Sequence, residues 1–292
     1  MPHKNKSPIN IFNLEQVGIN KNNFINKIKK FYHLYEPDLY LVRQEKIKAL
    51  AKKSLISFEK DSVLLTNYYS NIISEHEFRE KLNFNASCFF DTLSNIKSYR
   101  KRLISTFIFN KDSGIKRIKS GSFNQVGAGT KKNTFDFRII PRLFKEAPEE
   151  MESDDLFKLI FFIADRVFQY ETISQFKVIT HYTLIDCFTD DGIETSNSPE
   201  GIHQDGVDYI VSALVLERVN ISGGDSKIYI GDKNNHILTT QLQSGQGIFQ
   251  PDKGTDLWHE VTPIKLIDPK KRGYRSTIGF DIDLRYSTTN KF

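Results

Sequence analysis

"PEGIHQDGVDYIVSAL", residues 199–214, sets a histidine and an aspartate two apart, then a glycine, then an apolar run. In an extended segment residues i and i+2 point to one face. His203 and Asp205 can therefore converge on one ion at the mouth of the strand that follows. Alone the pair is weak. With 7 histidines and 36 acidic residues in 292, roughly one His-x-acid spelling arises by chance. Its weight depends on what lies further along the chain.

The surroundings of the pair are strand-like. From residue 176 onward short apolar segments recur: 176–188, 208–219, 226–231, 237–243, 247–251, 257–264 and 275–284. Turn residues separate them, as in "SGG" (222–224), "DKNN" (232–235), "SGQG" (244–247) and "DKGTD" (252–256). Short strands at about ten-residue spacing with turn signals predict an antiparallel sandwich or barrel. No βαβ alternation is present, which argues against a Rossmann-type fold. "LISTFIFN" (103–110) and "FDFRII" (135–140) read as two further strands.

Helices are predicted elsewhere. "LYLVRQEKIKALAKKSLISF" (39–58) has helical apolar spacing. "SEHEFREKL" (74–82) opens with a capping box, Ser74 and Glu77. Residues 153–171 read as a long, mostly buried helix with Ser153 as N-cap. The chain is thus read as mainly β with helical support, in the α+β class. Residues 1–95 form an N-terminal helical section serving as lid, support or dimer surface. Residues 96–292 form the β domain.

Composition bounds the function. Hydrophobic residues are 39%, charged residues 26% and the net charge is +5. No apolar run reaches the ~18 residues that cross a bilayer, and "MPHKNKSPIN" has no apolar leader core. Cys88 and Cys187 form no Cys-x-x-Cys pair and read as reduced thiols. A cytoplasmic protein is expected, with no membrane or nucleic-acid partner. The basic clusters "KSYRKR" (97–102) and "KKN" (131–133) read as solvated surface. "GAGT" (127–130) lacks the Gly-Lys-Ser/Thr of a phosphate loop.

Trp258-His259 lies in a later strand. Two histidines and one carboxylate form the facial set of non-haem Fe(II) oxygenases, which leaves positions open for an organic acid and O₂. If the acid is 2-oxoglutarate, its distal carboxylate needs a cation, and arginine suits it best. Arg275 heads the last apolar strand, with Thr277 on the same face. Arg272 falls in a turn and ranks lower. His181 has no acid at i+2 and reads as a packed or supporting histidine.

Four blocks, "PEGIHQDGVDYI", "SGGDSKIY", "LWHEVTPI" and "YRSTIGFDI", resemble in order and spacing the bacterial 2-oxoglutarate/Fe(II)-dependent dioxygenases that hydroxylate free amino acids, the isoleucine 4-hydroxylase type. The resemblance spans about residues 176–284, with fainter echoes in "SYRKRLISTF" (98–107) and "FNQV" (123–126). It implies a double-stranded β-helix (jelly-roll, cupin-like) core. It implies His203, Asp205 and His259 as iron ligands and Arg275 as the 2-oxoglutarate anchor. The implied reaction consumes 2-oxoglutarate and O₂, hydroxylates an unactivated C–H bond of a free L-amino acid, and releases succinate and CO₂. The family often carries Gln and Arg on its first core strand. Here "THYTLID" stands instead, with Tyr182 and Leu184 read on that face, so Tyr182 becomes a candidate cosubstrate contact. Arg138 is a candidate for the substrate carboxylate, and Glu200 or Asp208 for its ammonium. Two alternatives stay open: the same chemistry on a peptide, carrier-bound residue or other small metabolite, and a non-catalytic cupin-like binding module. A homo-oligomer is compatible with either.

Overall fold

The structure is a computed structural model that describes residues 8–125, 135–188, 195–196, 198–199, 201–231 and 233–287. In chain order its strands are β1 (Asn10–Asn13), β2 (Glu36–Pro37), β3 (Arg100–Asn110), β4 (Gly114–Ile118), β5 (Gln175–Cys187), β6 (Tyr209–Val219), β7 (Ile221–Gly223), β8 (Ser226–Ile230), β9 (His236–Thr240), β10 (Gln246–Pro251), β11 (Leu257–Val261), β12 (Ile264–Leu266) and β13 (Gly273–Asp283). The helices are α1 (Lys21–Lys29), α2 (Leu39–Lys52), α3 (Ser62–Tyr69), α4 (Glu75–Lys81), α5 (Phe84–Asp91) and α6 (Asp154–Phe168).

The large sheet runs β1-β10-β6-β13-β5-β3-β2, with β4 added on β3. Its ladders are antiparallel. A small sheet, β11-β8-β9, and the pair β12-β7 stand apart from it. Ala213, Val215 and Ile248 of the large sheet meet Ile228 and Leu257 of the small one in a shared apolar cluster. Two antiparallel sheets closed over one core make the jelly-roll expected from the strand pattern.

Alternation sorts the side chains of each long strand. On β5, Phe176, Val178, Tyr182 and Leu184 enter the principal core. His181, Thr183 and Ile185 face the space between the sheets. The principal core is closed by α6, whose Leu156, Leu159, Ile160, Ile163 and Val167 are fully buried. Each such side chain contributes roughly 1.5–3 kcal/mol. Ser153 caps α6 by accepting from the Leu156 amide, and Asp154 and Asp155 occupy the first turn, where the helix dipole favours them. This wall keeps the sheet rigid behind the inter-sheet space.

Residues α2 to α5 build a second cluster around Ile47, Leu50, Tyr68, Phe78 and Phe90. The capping box of Ser74 and Glu77 is formed. Phe12, Phe24 and Ile28 belong instead to the principal core, and β1 pairs with β10. One predicted strand is absent: within "FDFRII", residues Phe137–Ile139 form a single 3-10 turn. Asp136 caps that turn through the Arg138 amide and overrides the β-propensity of its aromatic and β-branched neighbours. "GAGT" and "KKN" lie outside the described residues.

Candidate active site

His203 and His259 are brought together by the backbone. The His203 amide donates to the His259 carbonyl at 2.9 Å, and the His259 amide returns the bond at 3.0 Å. Their ring centroids stand 4.4 Å apart. Gly206, at φ 86°, turns the chain directly after Asp205 in a conformation that favours glycine. Its amide donates to Asp252 Oδ2 at 2.7 Å. The Nε2 atoms of the histidines lie 3.5 and 3.3 Å from the Asp205 carboxylate. One ligand atom from each of His203, Asp205 and His259 lies within 4.8 Å of the others.

Supporting groups fix how these donors present themselves. His203 Nδ1 donates to the Gly201 carbonyl at 2.8 Å, which turns Nε2 toward the carboxylate, where its loss of a proton would make it a metal ligand. His259 Nδ1 lies 3.8 Å from Asp252 Oδ1. Burial, reinforced by the charge of Asp205, pushes the Asp252 carboxyl up to about 7. Burial opposes ionisation of Asp205 too, but His259 and His203 beside it hold its carboxyl well below the usual range. Gln204, fully buried between the two ligands, donates through Nε2 to the carbonyls of Asp252, Thr255 and Leu257. It ties the first histidine's loop to the loop that leads into β11. Gln125 Nε2 donates to Asp205 Oδ1, and Arg142 Nη2 donates to Gln125 Oε1 at 2.8 Å.

The donor set opens on a cavity of about 140 Å³ between the sheets. Successive inward residues of β13, Arg275, Thr277, Gly279 and Asp281, line it. Arg275 is 3% exposed. Burial, then the neighbouring Arg218, pulls its guanidinium down to about 9. Beside it the Gly223-Gly224 turn packs close: a Cβ on Gly224 would stand 3.4 Å from Arg275 Cδ and 3.1 Å from both Arg218 Nη1 and Ile264 Cγ2. Arg218 donates to the Gly223 and Gly224 carbonyls and so holds this turn. Asp225 serves the same turn, accepting from Gln241 at 2.9 Å.

The structure brings His203, Asp205, His259, Arg275 and Thr277 around one cavity. Other predicted residues go elsewhere. Tyr182 does not face it: the pleat turns its ring into the principal core, 1% exposed, and His181 and Thr183 take the inward positions. Arg138 does not line the cavity and is paired with Asp136 at 2.7 Å. Asp208 accepts from the Leu284 amide at 2.7 Å and pins the end of β13. Glu200 lies outside the described residues. Arg272 pairs with Asp186 at 2.6 Å.

Sequence reasoning missed one wall. Arg100 and Arg102, in the basic cluster expected to be surface, line the cavity with Arg142, Gln125, His181 and Asp281. Asp38, 1% exposed, pairs with Arg100 at 2.9 Å and Arg102 at 3.7 Å. Arg102 Nη2 donates to His181 Nδ1 at 3.2 Å, which makes His181 Nε2 the donor to Asp281 Oδ2 at 3.0 Å. The signal was spacing: Arg100 and Arg102 are i and i+2 at the head of an apolar strand, and Asp281 continues the inward register of Arg275.

A family profile described as 2OG-Fe dioxygenase matches residues 90–281, about two thirds of the chain. The chain belongs to this family. The family's chemistry uses Fe(II), 2-oxoglutarate and O₂, and the donor set fits that iron: two imidazoles and one carboxylate, with a cavity on the open side. A crystal structure of a bsmA homolog from Methylobium petroleophilum PM1 is similar at 15% identity and TM-score 0.64, covering 94% of this chain and 88% of that one. That of IDO from Bacillus thuringiensis is similar at 14% identity and TM-score 0.50, covering 63% and 75%. These likenesses support the fold. A search of curated proteins finds no match. Among the described residues, no helix is long and apolar enough to cross a membrane.

Proposed function

We propose that this oxygenase hydroxylates an unactivated C–H bond of a free L-amino acid, with iron held by His203, Asp205 and His259. The observation that carries the reading is the cavity itself. Its walls carry guanidinium and carboxylate groups, as a small zwitterion requires. The four sequence blocks shared with amino-acid hydroxylases point the same way.

Bound iron, with 2-oxoglutarate and O₂, supplies the oxidant that replaces C–H by C–OH while 2-oxoglutarate leaves as succinate and CO₂. The chain's own residues position and shield. The Gly201 carbonyl orients the His203 imidazole through Nδ1, and the backbone pairing of His203 with His259 sets the second imidazole beside it. Arg275 and Thr277 would hold the distal carboxylate of 2-oxoglutarate, the guanidinium supplying a charged fork that suits a carboxylate. The apolar sandwich beneath them excludes water and strengthens that attraction. Succinate formation with Fe(II), 2-oxoglutarate and a panel of L-amino acids tests the reading. One or more amino acids should stimulate it and gain one oxygen by mass. Absence of stimulation by any of them refutes the amino-acid substrate.

A further inference from the structure

We infer that Arg142, backed by Arg102, is the anchor for the substrate's carboxylate, and that Asp281 receives its ammonium. The inference rests on the amino-acid reading above and assigns the charge poles of that site.

The argument starts from charge balance. Arg100, Arg102 and Arg142 stand close enough to Asp38 that all three lower its carboxyl, against the burial that raises it. Three guanidiniums thus share one buried carboxylate. Two of them, Arg100 and Arg102, are ion-paired with it. Arg142 is 4% exposed and lines the cavity. Its one side-chain hydrogen bond among the described residues goes to the neutral carbonyl of Gln125, and its guanidinium lies 4.9 Å from the Phe123 ring centre. Its Nε has no acceptor, and among the described residues no ion pair involves it. With no ion pair of its own, and only the more distant charges of Asp38 and Asp136 acting on it, this buried guanidinium is short of counter-charge, which is unfavourable. An anion entering the cavity supplies that counter-charge.

The position selects substrate over cosubstrate. Arg142 reaches Asp205 through a single side chain, Gln125. Arg275, on β13, is level with Ile185 of β5, whereas His181 is level with Gly279, four residues further along. Arg100 is level with the same Ile185 and Arg102 with Thr183, so these two run alongside Arg275 and Thr277. What sets Arg142 apart is that it lies off these ladders, bridged to Phe123, and reaches the donor set through Gln125. The opposite pole follows. Of the carboxylates among the described residues that line the cavity, Asp205 belongs to the donor set, which leaves Asp281. One imidazole separates Arg102 from Asp281, with a hydrogen bond on each side. That gap is comparable to the span of an α-amino acid whose two charged ends each make one hydrogen bond. His181 holds Arg102, which backs Arg142, and Asp281 at this separation.

The test is calorimetric binding without O₂, in the presence of Fe(II) and 2-oxoglutarate. The probes are an aliphatic L-amino acid that the panel identifies, its amide, and its deaminated acid. Arg142→Gln should weaken the amino acid and the deaminated acid 10- to 100-fold and leave the amide unchanged. Arg142→Lys should recover part of the loss. Asp281→Asn should weaken the amino acid and the amide but not the deaminated acid. Unchanged amino-acid affinity in Arg142→Gln overturns the anchor. So does an equal loss for acid and amide, or a loss of iron or 2-oxoglutarate affinity of the same size, because each would make Arg142 a support for Gln125 and Asp205. Unchanged amine selectivity in Asp281→Asn overturns the second pole. If the wild type binds carboxylic acids but no amino acid, and Arg142→Gln abolishes that binding, the amino-acid reading fails while the anchor stands.

Discussion

Arg275→Met separates the cost of the cosubstrate site from its benefit. Burial, then the charge of Arg218, brings the Arg275 guanidinium down to about 9. At about 1.4 kcal/mol for each tenfold change, keeping that charge in the ligand-free protein costs roughly 5 kcal/mol. Methionine is unbranched and fills irregular space, so the variant removes the charge without opening a large void. Ligand-free Arg275→Met should therefore melt no earlier than the wild type. Its response to 2-oxoglutarate should collapse. Two charge-assisted hydrogen bonds to a carboxylate contribute about 3 kcal/mol together, or roughly 100-fold in affinity. At a concentration 100 times the wild-type Kd, the ligand stabilises the wild type by about 2.7 kcal/mol and the variant by about 0.4 kcal/mol. Thermal melts of the Fe(II)-loaded proteins with and without 2-oxoglutarate read both effects. A variant that keeps the full ligand-induced shift would refute Arg275 as the anchor. A ligand-free variant that loses several kcal/mol would show that the arginine is structural.

Three further outcomes follow from the same geometry. Gln204→Leu strips the shared donor from three buried carbonyls; it should cost about 2–4 kcal/mol of stability and weaken iron binding 10- to 100-fold, read by denaturant titration and metal titration. Gly224→Ala places a Cβ against Arg218 and Ile264 at φ +71°; it should raise the 2-oxoglutarate KM and leave iron affinity unchanged in steady-state and metal-binding assays. Asp38→Asn should destabilise the protein at neutral pH by about 3–5 kcal/mol, because Arg100 and Arg102 lose their counter-charge. The Asp38 carboxyl is lowered in the folded state, so its contribution is present above the ordinary value of 3.8 and is lost as pH falls through the folded value. The wild type should therefore lose more stability on acidification than Asp38→Asn does, as measured by urea melts across that range.

The blocks around His203, His259 and Arg275 were legible because they are local. Each sets a candidate ligand or anchor within a few residues of a glycine or a strand end, and spacing of two fixes its face. Tyr182 shows the limit of that reasoning. Its strand is apolar on one face and mixed on the other, and parity alone does not say which face meets the cavity. Packing of Phe176, Val178, Tyr182 and Leu184 against the core that α6 closes decides it. The arginine wall was illegible for another reason. Arg100, Arg102 and Arg142 look like solvated charges in the sequence, and only the fold brings Asp38, from before α2, to pair two of them. "FDFRII" reads as a strand from its residue types, yet a local hydrogen bond from the Arg138 amide to the Asp136 carboxylate makes a turn. Long-range pairing and short-range capping are the two terms that apolar periodicity does not carry.

The central claim is that one iron sits among His203, Asp205 and His259. Anomalous diffraction at the iron edge, from crystals loaded with Fe(II) without O₂, tests it directly. The account predicts a single strong peak at bonding distance from His203 Nε2, His259 Nε2 and an Asp205 oxygen, absent in Asp205→Ala crystals. A peak elsewhere in the cavity, or one that persists without the Asp205 carboxylate, would contradict it.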